Sequence, residues 1–354
     1  MLDRNRVLLL FSLMLIIGIY SGWKNDNSDF LNKNTKIEAN QPANESNSDK
    51  LANKPDINPE TKQNCPGENQ NFSLDFFKTN NFGEKDSKGI NHVIIFNPKS
   101  DKLDFKVNLG LAHKIYAKDV KGKLQREYVP KVFSEIIADE NSKLNGKMPI
   151  AAINADYIDT NNQPQGLNIS RGIEYAGDFR NKRSSFGISG GNAGQRQATI
   201  QVGRRKKDIL NYNIVGGNGR FYKNGIFKNI CDDLGELACK QAINRSMVAV
   251  TNSGYVILLV NDAKANSEII ISENNQELLP DMFDDVLEEI ADNSCLGKIQ
   301  DAMLFDGGMS PGLYYNDKIY IQNPGAIGSV FLIYNKDIRI KNKMESQIPS
   351  FKHT

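Results

Sequence analysis

The sequence predicts an α+β fold, a single domain of mixed, mainly antiparallel sheets with a few covering helices. Hairpin-like β patterns, two amphipathic helical segments and the lack of a βαβ phosphate loop lead to it. Residues 90–108 hold two β-rich runs around an Asn-Pro/Lys-Ser-Asp turn, which reads as a hairpin. Met247 to Thr251 and Tyr255 to Val260 flank Asn252-Ser-Gly254 and read as a second one. Helical spacing of Val132, Phe133, Ile136 and Ile137 predicts a helix over 129–140. Met282, Phe283, Val286, Leu287 and Ile290 predict an acidic helix over 281–291. The glycine-rich run 214–225 lacks GxGxxG or Walker spacing and has no strand-to-helix context, which excludes a nucleotide fold.

Along the chain, Arg4 and Arg6 precede an apolar run from Val7 to Tyr20, so residues 1–24 read as a signal peptide or a membrane anchor. Uncleaved, the segment would hold the protein to a membrane through residues 7–23. Residues 25–71 are Asn-, Lys- and Pro-rich, too poor in apolar groups to fold, and read as a disordered spacer. The domain is expected over 72–345, with a tail at 346–354. Export would place it in the cell envelope, secreted or membrane-held. A net charge of +2 in 354 residues gives no field suited to nucleic acid.

Three histidines (His92, His113, His353) and four cysteines without CxxC spacing argue against a zinc centre. In an exported chain Cys231 and Cys239, which bracket an acidic loop, can close a small disulfide ring, leaving Cys65 and Cys295 as the other bridge. His92 at a strand start reads as a structural histidine.

Three stretches carry chemistry. The apolar run 302–305 ends in Asp306-Gly307-Gly308, which sets a carboxylate at a sheet rim beside permissive backbone. A second apolar strand runs into Asn154 and Asp156, two residues apart and so on one side. Arg245 opens the 247–260 hairpin and Asp262 follows it, which places the two near one another.

Together these stretches resemble the phosphodiester glycosidase family, over roughly 90–335. Asn154-Ala-Asp156-Tyr157 is similar to the family's Asn-x-(Gly/Asp)-aromatic motif. Pro164-Gln-Gly166-Leu, Arg245-Ser246 and Phe305-Asp306-Gly307-Gly308-Met309-Ser310 are similar to its later motifs. Met309 stands where a third glycine is usual, Pro311 where a small hydroxyl is usual, and Ala249 where a glycine is common.

The resemblance implies cleavage of the glycosidic bond of a sugar-1-phosphodiester, on a phosphodiester-linked sugar or glycan polymer. Such a reaction passes through an oxocarbenium-like state and expels a weakly basic phosphate monoester. An anion clamp therefore matters more than a strong acid. Arg245 suits that role, since its planar fork binds phosphate in two places. Asp306 is the first choice of catalytic carboxylate and Asp156 the second, with Asn154 orienting a sugar hydroxyl or an aspartate. Gly307, Gly308, Ser310, Gly166 and Asp262 form the expected substrate-binding set. No cofactor is expected. A metal-dependent phosphodiesterase would also use aspartates, so a divalent cation stays open. The other reading, prompted by Met309 and Pro311, is a non-catalytic glycan-binding envelope protein on the same fold.

Overall fold

The computed structural model describes residues 65–69, 71–80, 89–109, 111–118, 124–142, 148–160, 162–175, 182–202, 212–231, 239, 243–262 and 278–336. The expected leader over 1–24, the spacer up to residue 64 and the tail at 346–354 lie outside them. Among the described residues no helix is long and apolar enough to cross a membrane.

The apolar runs build strands, and the architecture is mainly β. A seven-stranded sheet has the order Leu74–Asn80, Ile90–Phe96, Val256–Asp262, Arg245–Thr251, Ile299–Leu304, Asn218–Lys223, Ile226–Phe227. One five-stranded sheet has the order Lys318–Gln322, Gly312–Tyr315, Ala151–Asn154, Ser329–Asn335, Leu103–Leu109. A second runs Ala198–Val202, Ser184–Ile188, Asn213–Gly216, Asn168–Ser170, Ile173–Tyr175. A three-stranded sheet pairs Leu124–Val132 with Ala326–Ile327 and Leu111–Lys118.

The expected α+β class with mixed sheets is corrected on two counts. Every strand pairing among the described residues is antiparallel. The α-helices described are two, Phe133–Ser142 and Phe283–Asn293. Each covers one outer sheet face. Phe283, Val286, Leu287 and Ile290 pack on Val93, Ile95, Met247 and Leu259 of the large sheet. Phe133, Ile136 and Ile137 pack on Ala152, Tyr314, Val330 and Leu332.

Between the sheets lies the main core, which includes Ile94, Phe96, Phe105, Phe186, Val248, Leu258 and Phe331. Alternate residues of Ile90–Phe96 therefore enter two different cores: Val93 and Ile95 turn to the helix, Ile94 and Phe96 to the sandwich. Central strands are apolar on both sides, which is why they read as continuous runs in the sequence.

The pattern at 90–108 is not a hairpin. Ile90–Phe96 has both edges taken, by Leu74–Asn80 and Val256–Asp262, and Leu103–Leu109 pairs with Ser329–Asn335 in another sheet. The chain arches across the sandwich, and Phe96 meets Phe105 in the core with ring centroids 5.5 Å apart and planes tilted by 38°. The 245–262 segment is a hairpin, turned at Gly254 with φ of 87°. The first helix starts later than the pattern predicts. Val129 precedes Pro130, which disfavours helical backbone at Val129, and the strand continues to Val132.

Residues 65–69 belong to the folded unit, which shortens the expected spacer. Cys65 is bonded to Cys295, Pro66–Glu68 forms a 3-10 turn, and the Gly67 N–H donates to Ser294 O at 3.0 Å. Cys231 is bonded to Cys239.

Phe331 sits fully buried against Phe96, Phe105 and Phe186. Replacing it with alanine is expected to cost about 3–5 kcal/mol. Chemical denaturation would read this as a lowered midpoint with an unchanged slope.

Candidate active site

The cleft forms where strands from two sheets end together. Ala151–Asn154 stops beside the start of Arg245–Thr251 and the end of Ile299–Leu304. Asn154 is buried and its amide is fully directed at neighbours. Its Nδ2 donates to the Asp306 carbonyl at 2.7 Å. Its Oδ1 accepts from Ser246 Oγ at 2.7 Å and from the Gly312 N–H at 3.1 Å. The Asp306 N–H donates to Ala155 O at 2.8 Å. Both peptide groups of Asp306 are thus held by consecutive residues of another strand. Asn154 orients an aspartate through its backbone.

Asp306 is half-buried on a cleft of about 340 Å³, shared with Tyr157, Arg245, Ser246, Gly307 and Gly308. Burial pushes its carboxyl up to about 7, and the neighbouring Asp156 charge adds to the shift. Hydrogen bonds from Ser310 and the Gly307 N–H, and the Arg183 charge, oppose it.

Asp156 is fully buried in a cage of donors. Its Oδ2 accepts from the Gly166 N–H at 2.7 Å and from Asn168 Nδ2 at 2.6 Å, and its Oδ1 from the Tyr157 N–H at 2.8 Å. Desolvation still outweighs these bonds and raises the carboxyl to about 6. Gly216 closes the cage: a Cβ there would lie 2.6 Å from the Asp156 carboxyl carbon.

Arg245 is buried on the cleft wall, its Nε donating to Leu278 O at 2.7 Å and its guanidinium 5.5 Å from the Phe283 ring centre. Asp306 and Arg245 thus share one cleft.

Two expected members of the substrate-binding set lie elsewhere. Gly166 is buried and serves Asp156 rather than the cleft. Arg245 is the Cα partner of Asn261, so Asp262 turns to the opposite face, near His92. In the 307–310 loop, the Gly308 N–H donates to Asn244 O at 2.8 Å and the Ser310 N–H to Gly307 O at 3.2 Å. Those two amides are directed into the protein, and Ser310 serves Asp306. Met309 projects into solvent.

Two site members escaped the sequence reading. Tyr157 lines the cleft, with its hydroxyl donating to Phe305 O at 3.1 Å, and burial together with Asp306 raises that hydroxyl above its ordinary range. Arg183 lies 4.9 Å over the Tyr157 ring and favours the charged forms of both aspartates. Tyr157 was visible in the Asn154-Ala-Asp156-Tyr157 motif. Arg183 stands in Lys182-Arg183, just before Ser184–Ile188, where a cation at a strand mouth was the available signal.

A model of the phosphodiester glycosidase family matches residues 147–334, which include all these groups. The chain belongs to this family. No curated protein matches it. Among solved structures, a Synechocystis protein aligns at 12% identity with a TM-score of 0.49, over 75% of this chain and 62% of that one. The zebrafish N-acetylglucosamine-1-phosphodiester alpha-N-acetylglucosaminidase catalytic domain, auto-inhibited by its pro-peptide, aligns at 13% identity with a TM-score of 0.41, over 75% and 89%. Within the phosphodiester glycosidase match, Asn154, Asp156, Arg245 and Asp306 span most of the length, and three distant segments supply one cleft and its support.

Both aspartates have folded pKa values above the ordinary 3.8. The folded protein therefore binds protons more tightly than the unfolded chain between about pH 4 and 7, and this contribution to stability falls as pH rises through that window. Thermal midpoints measured from pH 4 to 8 should show the fall. In Asp306→Asn the slope should be shallower and level off near pH 6, where Asp156 alone acts.

Proposed function

We propose that this protein hydrolyses the glycosidic bond of a sugar-1-phosphodiester on an envelope glycan or polymer. The observation that carries the reading is Asp306, a carboxyl poised near 7 on the same cleft as the buried guanidinium of Arg245. Near neutral pH such a carboxylate accepts a proton readily.

In this reading Asp306 takes a proton from water as the water oxygen bonds to the anomeric carbon. The bond from that carbon to the phosphate oxygen breaks, and the phosphate monoester leaves with the bonding pair. Arg245 faces the phosphate charge that grows at the leaving oxygen. Asp156, caged and unexposed, is a positioning residue: it holds Gly166, Asn168 and Tyr157 in place and helps keep the Asp306 carboxyl high.

Export to an oxidising compartment is the setting that two disulfides support. A leader over 1–24 would supply it, as a cleaved signal or as a membrane anchor.

One observation favours the second reading, glycan binding without hydrolysis. The Gly308 and Ser310 amides are taken up by protein carbonyls and Met309 adds bulk at the rim, which weakens the case for a phosphate cradle there.

Release of free sugar from a sugar-1-phosphodiester decides between them. Asp306→Asn is expected to lower that release by about 10²–10⁴-fold with the fold intact. Arg245→Lys should also slow it, because the charge stays and the planar fork goes. Binding of the phosphodiester with no sugar released by the wild type would support the second reading. Release that survives Asp306→Asn undiminished would remove the first.

A further inference from the structure

We propose that a second cleft, lined by Arg196, Tyr212, Gly190, Gly191 and Lys336, binds an anionic sugar unit. It has a volume of about 290 Å³ and gathers the end of Ser184–Ile188, the starts of Leu103–Leu109 and Asn213–Gly216, and the residue after Ser329–Asn335. The catalytic candidates sit towards the other ends of these strands. Gly216 touches Asp156, and Ser329 Oγ accepts from the Asp156 N–H at 3.1 Å. Four residues of one strand and seven of the other separate the two places, about 10 Å and about 20 Å of rise.

Charge is the first argument. Arg196 is 7% exposed, and its Nη1 donates to Leu103 O at 2.8 Å and Ser100 O at 3.4 Å. Its guanidinium lies 5.4 Å from the Phe105 ring centre. Among the described residues it has no carboxylate within 4.0 Å. A guanidinium so deep is ordinarily matched by an acid. Asp104, the carboxylate in the cleft, acts on Arg196 through its charge but makes its bonds elsewhere. Its Oδ2 accepts from Arg171 Nη2 at 2.9 Å and its Oδ1 from the Phe105 N–H at 3.0 Å. Exposed Lys336 adds a further positive charge to the lining. The cleft therefore favours an anion.

Shape is the second. Tyr212 remains 37% exposed, and a Cβ on Gly190 would approach its side chain to 3.1–3.3 Å. The ring lies against the bare glycine backbone and stays partly open to solvent. Gly191, with φ of 94°, keeps the rim free of a side chain. Ser189 and Asn213 also line it, their oxygens held by the protein: Ser189 Oγ accepts from the Gln197 N–H and Asn213 Oδ1 from the Arg171 N–H, each at 3.0 Å. A partly exposed aromatic ring beside an arginine and a lysine suits a sugar ring that carries a phosphate or carboxylate. For a polymer of such units, binding here would raise its effective concentration at the protein.

The experiment is an equilibrium titration of the full chain with glucose 6-phosphate, with plain glucose and inorganic phosphate as controls. Binding that persists in Asp306→Asn, weakens about tenfold or more in Tyr212→Ala and Lys336→Gln, and exceeds that of plain glucose supports the site. Hydrolysis of a small soluble phosphodiester should be unchanged in both exposed-site variants. Arg196→Gln should abolish the binding; if that variant fails to fold, the two exposed variants decide. Binding unaffected by Tyr212→Ala and Lys336→Gln, equal binding of plain glucose, or no binding at all would overturn the proposal. Tight binding of inorganic phosphate that Tyr212→Ala leaves intact would overturn the sugar assignment.

Discussion

The grip of Asn154 and Ala155 on Asp306 is the constraint on which the cleft depends. One side-chain amide and one backbone carbonyl hold the two peptide groups of a residue 152 positions later in the chain. The same amide reaches Ser246 and Gly312, so the ends of strands from two sheets are fixed at one buried point. A buried amide bonded through both its nitrogen and its oxygen rigidifies its surroundings, whereas one left without partners carries a desolvation penalty. Truncating Asn154 would therefore loosen Asp306 without touching its carboxylate.

Around that point the molecule tolerates an electrostatic cost. Two aspartates that follow strands of different sheets are near enough for the Asp156 charge to oppose that of Asp306, and both are drawn out of water. Three donors on Asp156, the Ser310 and Gly307 bonds on Asp306, and the shared charge of Arg183 offset part of this. The remainder appears as two carboxyls that hold protons above the ordinary range. Such a pair is poor for stability and suited to proton transfer, a combination that active sites show more often than surfaces do.

How far the sequence discloses this depends on the range of each interaction. Local signals were legible: the Asp306 run ends in a strand end, the Asn252–Gly254 turn makes its hairpin, and helix Phe283–Asn293 lays its apolar stripe on the large sheet. Pairing partners were not, because hydrophobic alternation shows that a strand is half-buried and is silent on which edge it joins. The arch at 97–102 looks like a hairpin for that reason. Asp262 illustrates the period-two rule: one position beyond the partner of Arg245 puts a side chain on the other face. Gly166 was read for its motif, while its contribution, an N–H aimed at Asp156, belongs to the tertiary packing of two loops. Arg183 has no pattern of its own, and its role exists only once Ser184–Ile188 lies beside Tyr157.

The bond between Cys65 and Cys295 spans 230 residues, against 8 for the bond between Cys231 and Cys239. In the loop-entropy picture the long ring constrains the unfolded chain by about 5 kcal/mol and the short one by about half as much. The long ring encloses Asn154, Asp156 and Arg245 but not Asp306, whose strand begins four residues past Cys295. Even a fully unfolded, oxidised chain thus carries the root of the Asp306 strand tied to the start of the domain, and the covalent path from Asn154 to Asp306 shortens from 152 residues to about 100.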